Sequence, residues 1–191
     1  YLERVSKIHR IHHGRDWLTA RLLQVHQRKN AINADAGWGW KEPNSHIFLP
    51  ELFRFFPRMR YVHVVRNGQD MAFSKNQSQV RLWGRAFGKL TSALTPQGSF
   101  DYWCSAHKRV LGILAQHPQQ TILLNFDKLC RDPAKGLGLL YEFLGLDAPP
   151  HEISAQVSSI APPESIGRHS LEAPLRVRPW QSQLLTDLGF E

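Results

Sequence analysis

The stretch that decides the fold is Tyr61–Ser74, which reads YVHVVRNGQDMAFS. Three of its first five residues are β-branched valines and the run is almost wholly apolar, which is typical of a short strand buried on both faces of a parallel sheet. Arg66-Asn67-Gly68 ends this strand, and Gln69–Gln77 is predicted to form the helix that follows. The sequence therefore predicts a strand–turn–helix unit with an arginine at the carboxyl end of the strand.

The rest of the chain extends this unit into a layered fold. Thr121–Phe126 is a second candidate for a buried strand. The Pro- and Ser-rich segment Ala148–Pro163 is expected to be irregular. Helices that alternate with buried strands predict an α/β fold with a parallel sheet flanked by helices, and no linker divides residues 1–191 into two domains. Further helices are predicted before residue 30, at Ile47–Phe56, at Phe100–Gln116, from Asp132 to Gly145 and at Gln183–Leu188.

The composition limits the kinds of partner. The 191 residues carry 24 Lys and Arg against 16 Asp and Glu, a net charge of +8 that favours an anionic ligand. The basic residues are dispersed, so a merely solvated basic surface is the competing interpretation. No apolar run approaches the ~20 residues of a membrane helix, and no membrane partner is expected. Cys104 and Cys130 are the only cysteines and suit buried thiols in a reducing compartment, which predicts a cytoplasmic protein.

Arg66 and Ser74 are the first candidates for ligand binding. In open α/β sheets, ligands bind beyond the carboxyl ends of the strands, and the following helix directs free amides to the same place. On the predicted helix, Ser74 lies two turns beyond Asn67, so Arg66 and Ser74 are expected to grip one phosphate. The alternative is that Arg66 pairs with Asp70 while Ser74 faces water, and spacing alone does not decide between the two.

Residues 61–74 resemble the 3′-phosphate-binding motif of sulfotransferases that use 3′-phosphoadenosine 5′-phosphosulfate (PAPS). That motif is a strand, then Arg-Asp-Gly/Pro, then a Ser eight positions after the Arg. Arg66 and Ser74 have this separation, and Asn67 replaces the usual Asp. Three further segments resemble family segments in the same order, namely Trp38–Pro43, Asn125–Leu146 and Ser165–His169.

The resemblance implies a P-loop NTPase-like sulfotransferase fold and assigns roles to individual residues. Arg66, Ser74 and the basic loop at Gly167, Arg168 and His169 would bind the nucleotide. PAPS would be the cosubstrate and 3′,5′-ADP the product, and no metal ion is expected. Lys41 matches a family lysine that contacts the transferring group, where a cation would stabilise negative charge on the bridging oxygen.

The base that deprotonates the acceptor is not assigned by the resemblance. Pro43 stands where animal cytosolic relatives have a histidine, so Glu42, His46 and a base outside these residues stay open. Trp38 and Trp40 suit either stacking on a ring of the ligand or packing in the core.

The resemblance also implies a missing part and leaves the acceptor open. Nothing in residues 1–30 resembles the family's Gly-rich 5′-phosphosulfate loop, so the chain is expected to be an N-terminally truncated sulfotransferase domain that is inactive alone. The expected acceptor is a hydroxyl or amine of a small molecule or carbohydrate, bound near Val80–Gly98, and no nucleic-acid partner is expected. The alternatives are a nucleotide kinase of related fold, although Gly-x-x-x-x-Gly-Lys-Ser/Thr is absent, and a basic anion- or nucleic-acid-binding module.

Overall fold

The computed structural model of the protein describes residues 39–87 and 94–190, together with Leu23. The helices predicted before residue 30, and Trp38, lie outside the described residues. Two short 3₁₀ turns cover Ser45–Ile47 and Arg168–Leu171. The other elements, in chain order, are α1 (Leu49–Phe55), β1 (Tyr61–Val65), α2 (Gly68–Ala72), α3 (Ser78–Phe87), α4 (Pro96–Leu114), β2 (Thr121–Asn125), α5 (Phe126–Arg131), α6 (Pro133–Leu144), α7 (Pro150–Ser159) and α8 (Pro179–Asp187).

The two predicted strands pair in parallel. Tyr61 faces Thr121 and Val65 faces Asn125, so both strands end at the same edge of the sheet. This confirms the α/β class with a parallel sheet flanked by helices. The prediction that β1 is buried on both faces holds on one face only, because Val65 is 1% exposed whereas Val64 is 52% exposed.

The long helix α4 supports the carboxyl end of β1. Phe100, Trp103 and Cys104 on α4 pack with Val65 and with apolar side chains of α8. Gly68 at the start of α2 lies against the indole of Trp103, and a Cβ at Gly68 would overlap that ring. Glycine at this position therefore lets α2 pack directly on α4, which fixes the chain that leaves β1.

Two local predictions are wrong, each for an identifiable reason. The helix predicted over Gln69–Gln77 ends at Ala72, because the side-chain amide of Gln77 folds back and donates to the carbonyls of Met71, Ala72 and Ser74. The segment expected to be irregular contains α7, which begins with Pro150 at its first position.

Side-chain hydroxyls explain how a Ser-rich segment is helical. Ser154 donates to the carbonyl of Pro150 at 2.8 Å, and Ser158 donates to the carbonyl of Ser154 at 2.9 Å. Such bonds occupy serine hydroxyls within a helix. Among residues 39–87 and 94–190, no helix has the length and apolar character needed to cross a membrane.

Candidate functional site

Arg66 lies directly after β1, as predicted, and is held from two sides. Its Nη2 donates to the Oγ of Ser165 at 2.7 Å, and its guanidinium carbon lies 5.0 Å from the ring centroid of Phe126. Its Nε is buried and makes no hydrogen bond with any described residue. The guanidinium is thus oriented by the protein while one N–H group is still able to donate to a ligand.

Asp70 holds the loop at Ser165–His169 near the carboxyl end of β1. Its carboxylate is 3% exposed and accepts from the amides of Gly167 and His169, at 2.7 and 3.0 Å, and from Nδ1 of His169 at 2.6 Å. Burial raises the pKa of Asp70, but the hydrogen bonds from His169 and Gly167 outweigh it, and the net pKa is lowered. Asp70 therefore binds the loop, and Arg66 donates its hydrogen bond to Ser165 and not to Asp70.

The loop brings a second guanidinium next to Arg66. Gly167 has a φ of 80°, in the left-handed region that favours glycine, and it begins the turn that carries Arg168. Arg168 donates from Nε to the carbonyl of Ser165 at 3.3 Å and from Nη1 to the carbonyl of Phe73 at 3.4 Å. These bonds place Arg168 near Arg66 although the two are about 100 residues apart in sequence.

Arg66, Ser74 and Arg168 line one cavity of about 2000 Å³. Ser74 reaches this cavity from the segment after α2, not from a helix face, and its Oγ accepts from the amide of Asn76 at 3.3 Å. Ser74 thus lines the same cavity as Arg66 and Arg168, but by a different local geometry from the one that the spacing indicated.

Lys41, Glu42 and His46 line the same cavity. Lys41 is exposed, whereas the Oε1 of Glu42 accepts from the amide and the side chain of Asn44, at 3.0 and 2.8 Å. Glu42 therefore has a structural role in this turn. Trp40 packs against the core, with its ring centroid 5.6 Å from that of Phe56.

The sequence analysis missed Asp127, which lies one residue into α5 and is 5% exposed. Burial raises the pKa of its carboxyl group, Asp70 raises it further, and Arg66 opposes both effects. Asp127 is therefore an electrostatic neighbour of Arg66 at the end of the second strand. Its position two residues after the end of β2 was the signal available in the sequence.

Comparison with known proteins assigns the family. The model of the sulfotransferase family matches residues 3–150, a segment that includes Lys41, Arg66 and Ser74. The chain belongs to the sulfotransferase family. No curated protein matches it.

A solved structure agrees with this sulfotransferase in fold. The sulfotransferase domain from the curacin biosynthetic pathway superposes with a TM-score of 0.61 at 15% identity, covering 88% of this chain and 68% of that one. This match confirms the sulfotransferase fold that the resemblance implied. The loop at Ser165–His169 lies beyond the family match, so its place in the site depends on its contacts with Asp70 and Arg66.

The remaining features considered from the sequence are the acceptor segment, possible metal ligands and the two cysteines. The segment expected to hold the acceptor, Val80–Gly98, is described up to Phe87 and from Leu94, and Val80 lines the cavity. In the described part of the chain, no three His, Cys, Asp or Glu side chains are grouped to hold a metal ion. Cys104 and Cys130 are buried free thiols there.

Replacing Asp70 with asparagine is expected to loosen the loop at Ser165–His169. An asparagine side chain presents an NH₂ group to donors that now meet a carboxylate, and unsatisfied buried groups cost about 1–3 kcal/mol each. We expect a loss of about 2–3 kcal/mol in urea unfolding at pH 7 and faster tryptic cleavage after Arg168. The matched control is Asp187→Asn on the exposed end of α8, which should change neither measurement.

The effect of Asp70→Asn should depend on pH. Because the pKa of Asp70 is lowered in the fold, its carboxylate stabilises the protein above the unfolded pKa of about 3.9, and this is lost as pH falls through the folded pKa. The wild type and the variant should therefore converge in stability as the solution is acidified below about pH 4. A gap that stays constant down to pH 3 would contradict the role of the carboxylate.

Proposed function

We propose that this sulfotransferase transfers a sulfonate group from PAPS to a hydroxyl or amine of a small-molecule or carbohydrate acceptor and releases 3′,5′-ADP. The observation that carries the proposal is that Arg66, directly after β1, lines one cavity with Ser74 and Arg168, and that Arg66 and Arg168 both donate to Ser165. A terminal phosphate carries close to two negative charges, and two guanidinium groups with a hydroxyl suit it.

The residues around Arg66 fit a 3′-phosphate. The buried Nε of Arg66 has no partner among the described residues, so an incoming phosphate oxygen would satisfy it. The amides of Gly167 and His169 already donate to Asp70. We therefore propose that Gly167 and His169 maintain the shape of the loop, and that Arg168 supplies the second positive charge at the phosphate site.

Lys41 suits the phosphosulfate end of PAPS. Sulfonate transfer moves negative charge onto the oxygen that leaves with the nucleotide, and a cation placed there lowers the barrier. Lys41 lines the same cavity as Arg66. Catalysis would then depend on positioning and on charge stabilisation, as in phosphoryl transfer.

The test of the proposal is nucleotide selectivity together with transfer. In calorimetric titrations we expect 3′,5′-ADP to bind about 10²-fold more tightly than 5′-AMP, because the 3′-phosphate adds charge-assisted hydrogen bonds worth about 1.5–3 kcal/mol each. Incubation of the full-length protein with ³⁵S-labelled PAPS and a panel of alcohols, phenols and amines should give a labelled product. Equal affinities for 5′-AMP and 3′,5′-ADP would contradict the assignment of the phosphate site.

A further inference from the structure

Three histidines from different parts of the chain line the same cavity as Arg66 and Lys41. His46 lies in the first 3₁₀ turn, His63 on β1 and His107 on α4. The ring centroids of His63 and His107 are 5.3 Å apart, and the ring of Trp103 lies 4.3 Å from that of His107. The hydroxyl of Tyr61 lies 2.9 Å from Nδ1 of His63. We call His46, His63 and His107 the histidine recess.

The hydrogen bond of His46 fixes its tautomer. Its Nδ1 lies 2.8 Å from the carbonyl oxygen of Pro43, and a carbonyl oxygen can only accept. Nδ1 therefore carries the hydrogen, and Nε2 of the neutral ring holds a lone pair. In addition, Arg109 donates to the carbonyl of His46 at 2.9 Å, which holds the backbone of this residue in place.

His46 is neutral at physiological pH. Burial lowers its pKa to about 4; the hydrogen bond with Pro43 opposes this, and Arg109 lowers the pKa further. A neutral imidazole with a lone pair on Nε2 is able to take up a proton, whereas an imidazolium is not.

The neighbouring groups favour His46 over the other candidates. The Oε1 of Glu42 already accepts two hydrogen bonds from Asn44. His63 is 6% exposed, and its Nε2 is buried. The Nδ1 of His107 lies 2.8 Å from a carbonyl oxygen of its own helix, but the ring packs between Trp103 and His63. Of the three histidines, only His46 lies on the same segment as Lys41.

We infer that His46 takes the proton of an acceptor hydroxyl during sulfonate transfer, an inference that depends on the proposed function. The hydroxyl oxygen forms a bond to sulfur while the bond from sulfur to the 5′-phosphate oxygen breaks. The electron pair of that bond leaves on 3′,5′-ADP, and the proton moves to Nε2 of His46 and then to solvent. The products are a sulfate ester, 3′,5′-ADP and a proton, so the atoms and charges balance.

The decisive variant is His46→Asn. The side-chain NH₂ of asparagine is able to replace Nδ1 as donor to the carbonyl of Pro43, but asparagine has no counterpart of the Nε2 lone pair. We expect kcat to fall by about 10²–10⁴-fold, the usual contribution of general base catalysis, while the Kd for 3′,5′-ADP changes by less than about twofold. Added imidazole should restore part of the activity. The matched control is His151→Asn on α7, an exposed histidine whose replacement should leave kcat unchanged.

The pH profile gives a second readout. Within residues 39–87 and 94–190, the titratable and charged groups around His46 are Arg109 and His107 on α4, His63 on β1, and Lys41 and Glu42 on its own segment. Wild-type kcat should be constant from neutral pH to about pH 5 and should fall as His46 becomes protonated near pH 4. The pKa of His107 is also lowered to about 4, so His107 could cause the same fall in kcat at acidic pH. The fall supports His46 only if it is absent from the His46→Asn variant.

Several outcomes would overturn the inference. A kcat for His46→Asn within about threefold of wild type would exclude His46 as the proton acceptor. A wild-type protein that sulfonates amines and no hydroxyl would exclude the acceptor class. These results would leave the proposed function standing, provided that 3′,5′-ADP still binds. Failure of 3′,5′-ADP to bind the wild type would refute the proposed function, and the inference with it.

Discussion

Replacing Arg66 with methionine is expected to weaken the binding of 3′,5′-ADP by about 10²–10³-fold. Truncating one partner of a buried, hydrogen-bonded charge pair costs roughly 2–5 kcal/mol, and 1.4 kcal/mol corresponds to tenfold in Kd. Methionine fills much of the space of the arginine stem beside Phe126 but offers no donor to a phosphate or to Ser165. Calorimetric titration at fixed ionic strength measures the change.

Two further variants separate the effect of the bidentate guanidinium geometry from the effect of the positive charge. Arg66→Lys keeps a positive charge but loses the planar, bidentate geometry, so its affinity should lie between those of the wild type and Arg66→Met. Arg54→Met removes an exposed arginine from α1 and should leave the Kd unchanged. Wild-type affinity in a correctly folded Arg66→Met would show that the 3′-phosphate binds elsewhere.

The strand end could be predicted from the sequence because its signals are local. A run of β-branched residues, followed by Arg66 and a glycine, indicates where β1 stops and where α2 begins. Asp132 and Pro133 likewise marked the start of α6, and the side chain of Asp132 caps that helix through the amide of Lys135 at 3.1 Å. Signals of this kind need no knowledge of the tertiary structure.

The loop at Ser165–His169 could be assigned only by resemblance. Asp70 and Gly167 are 97 residues apart, and no spacing rule connects them. The same limit applies to the end of α2, since Gln77 terminates the helix through a side chain that folds back on the carbonyls. Nonlocal hydrogen bonds decide both features, and single-sequence patterns do not encode them.

The histidine recess shows most clearly what single-sequence patterns do not encode. His46, His63 and His107 have no regular spacing, so no sequence pattern groups them. Their tautomers depend on carbonyl oxygens such as those of Pro43 and Trp103, which only the folded backbone places. The inference about His46 therefore depends on contacts of the folded chain and not on a pattern in the sequence.

Replacing Lys41 with methionine is expected to lower kcat by about 10²–10³-fold, the usual cost of removing one donor aimed at a developing negative charge. Lys41 is exposed at the cavity wall, and its proposed partner is the bridging oxygen, which gains its charge only as the sulfonate leaves. The Kd for 3′,5′-ADP and the KM for the acceptor should therefore change little. The measurement is steady-state transfer from ³⁵S-labelled PAPS, with the same preparation titrated with 3′,5′-ADP.

Lysine at position 135 supplies the matched control, because Lys135 is exposed on α6 and Lys135→Met removes the same charge without touching the cavity wall. Lys135→Met should retain wild-type kcat, which excludes a general effect of net charge on the anionic donor. If Lys41→Met instead weakens 3′,5′-ADP binding as strongly as it lowers kcat, Lys41 contributes ground-state affinity for the nucleotide. In that case, charge developing on the bridging oxygen must be stabilised by another group.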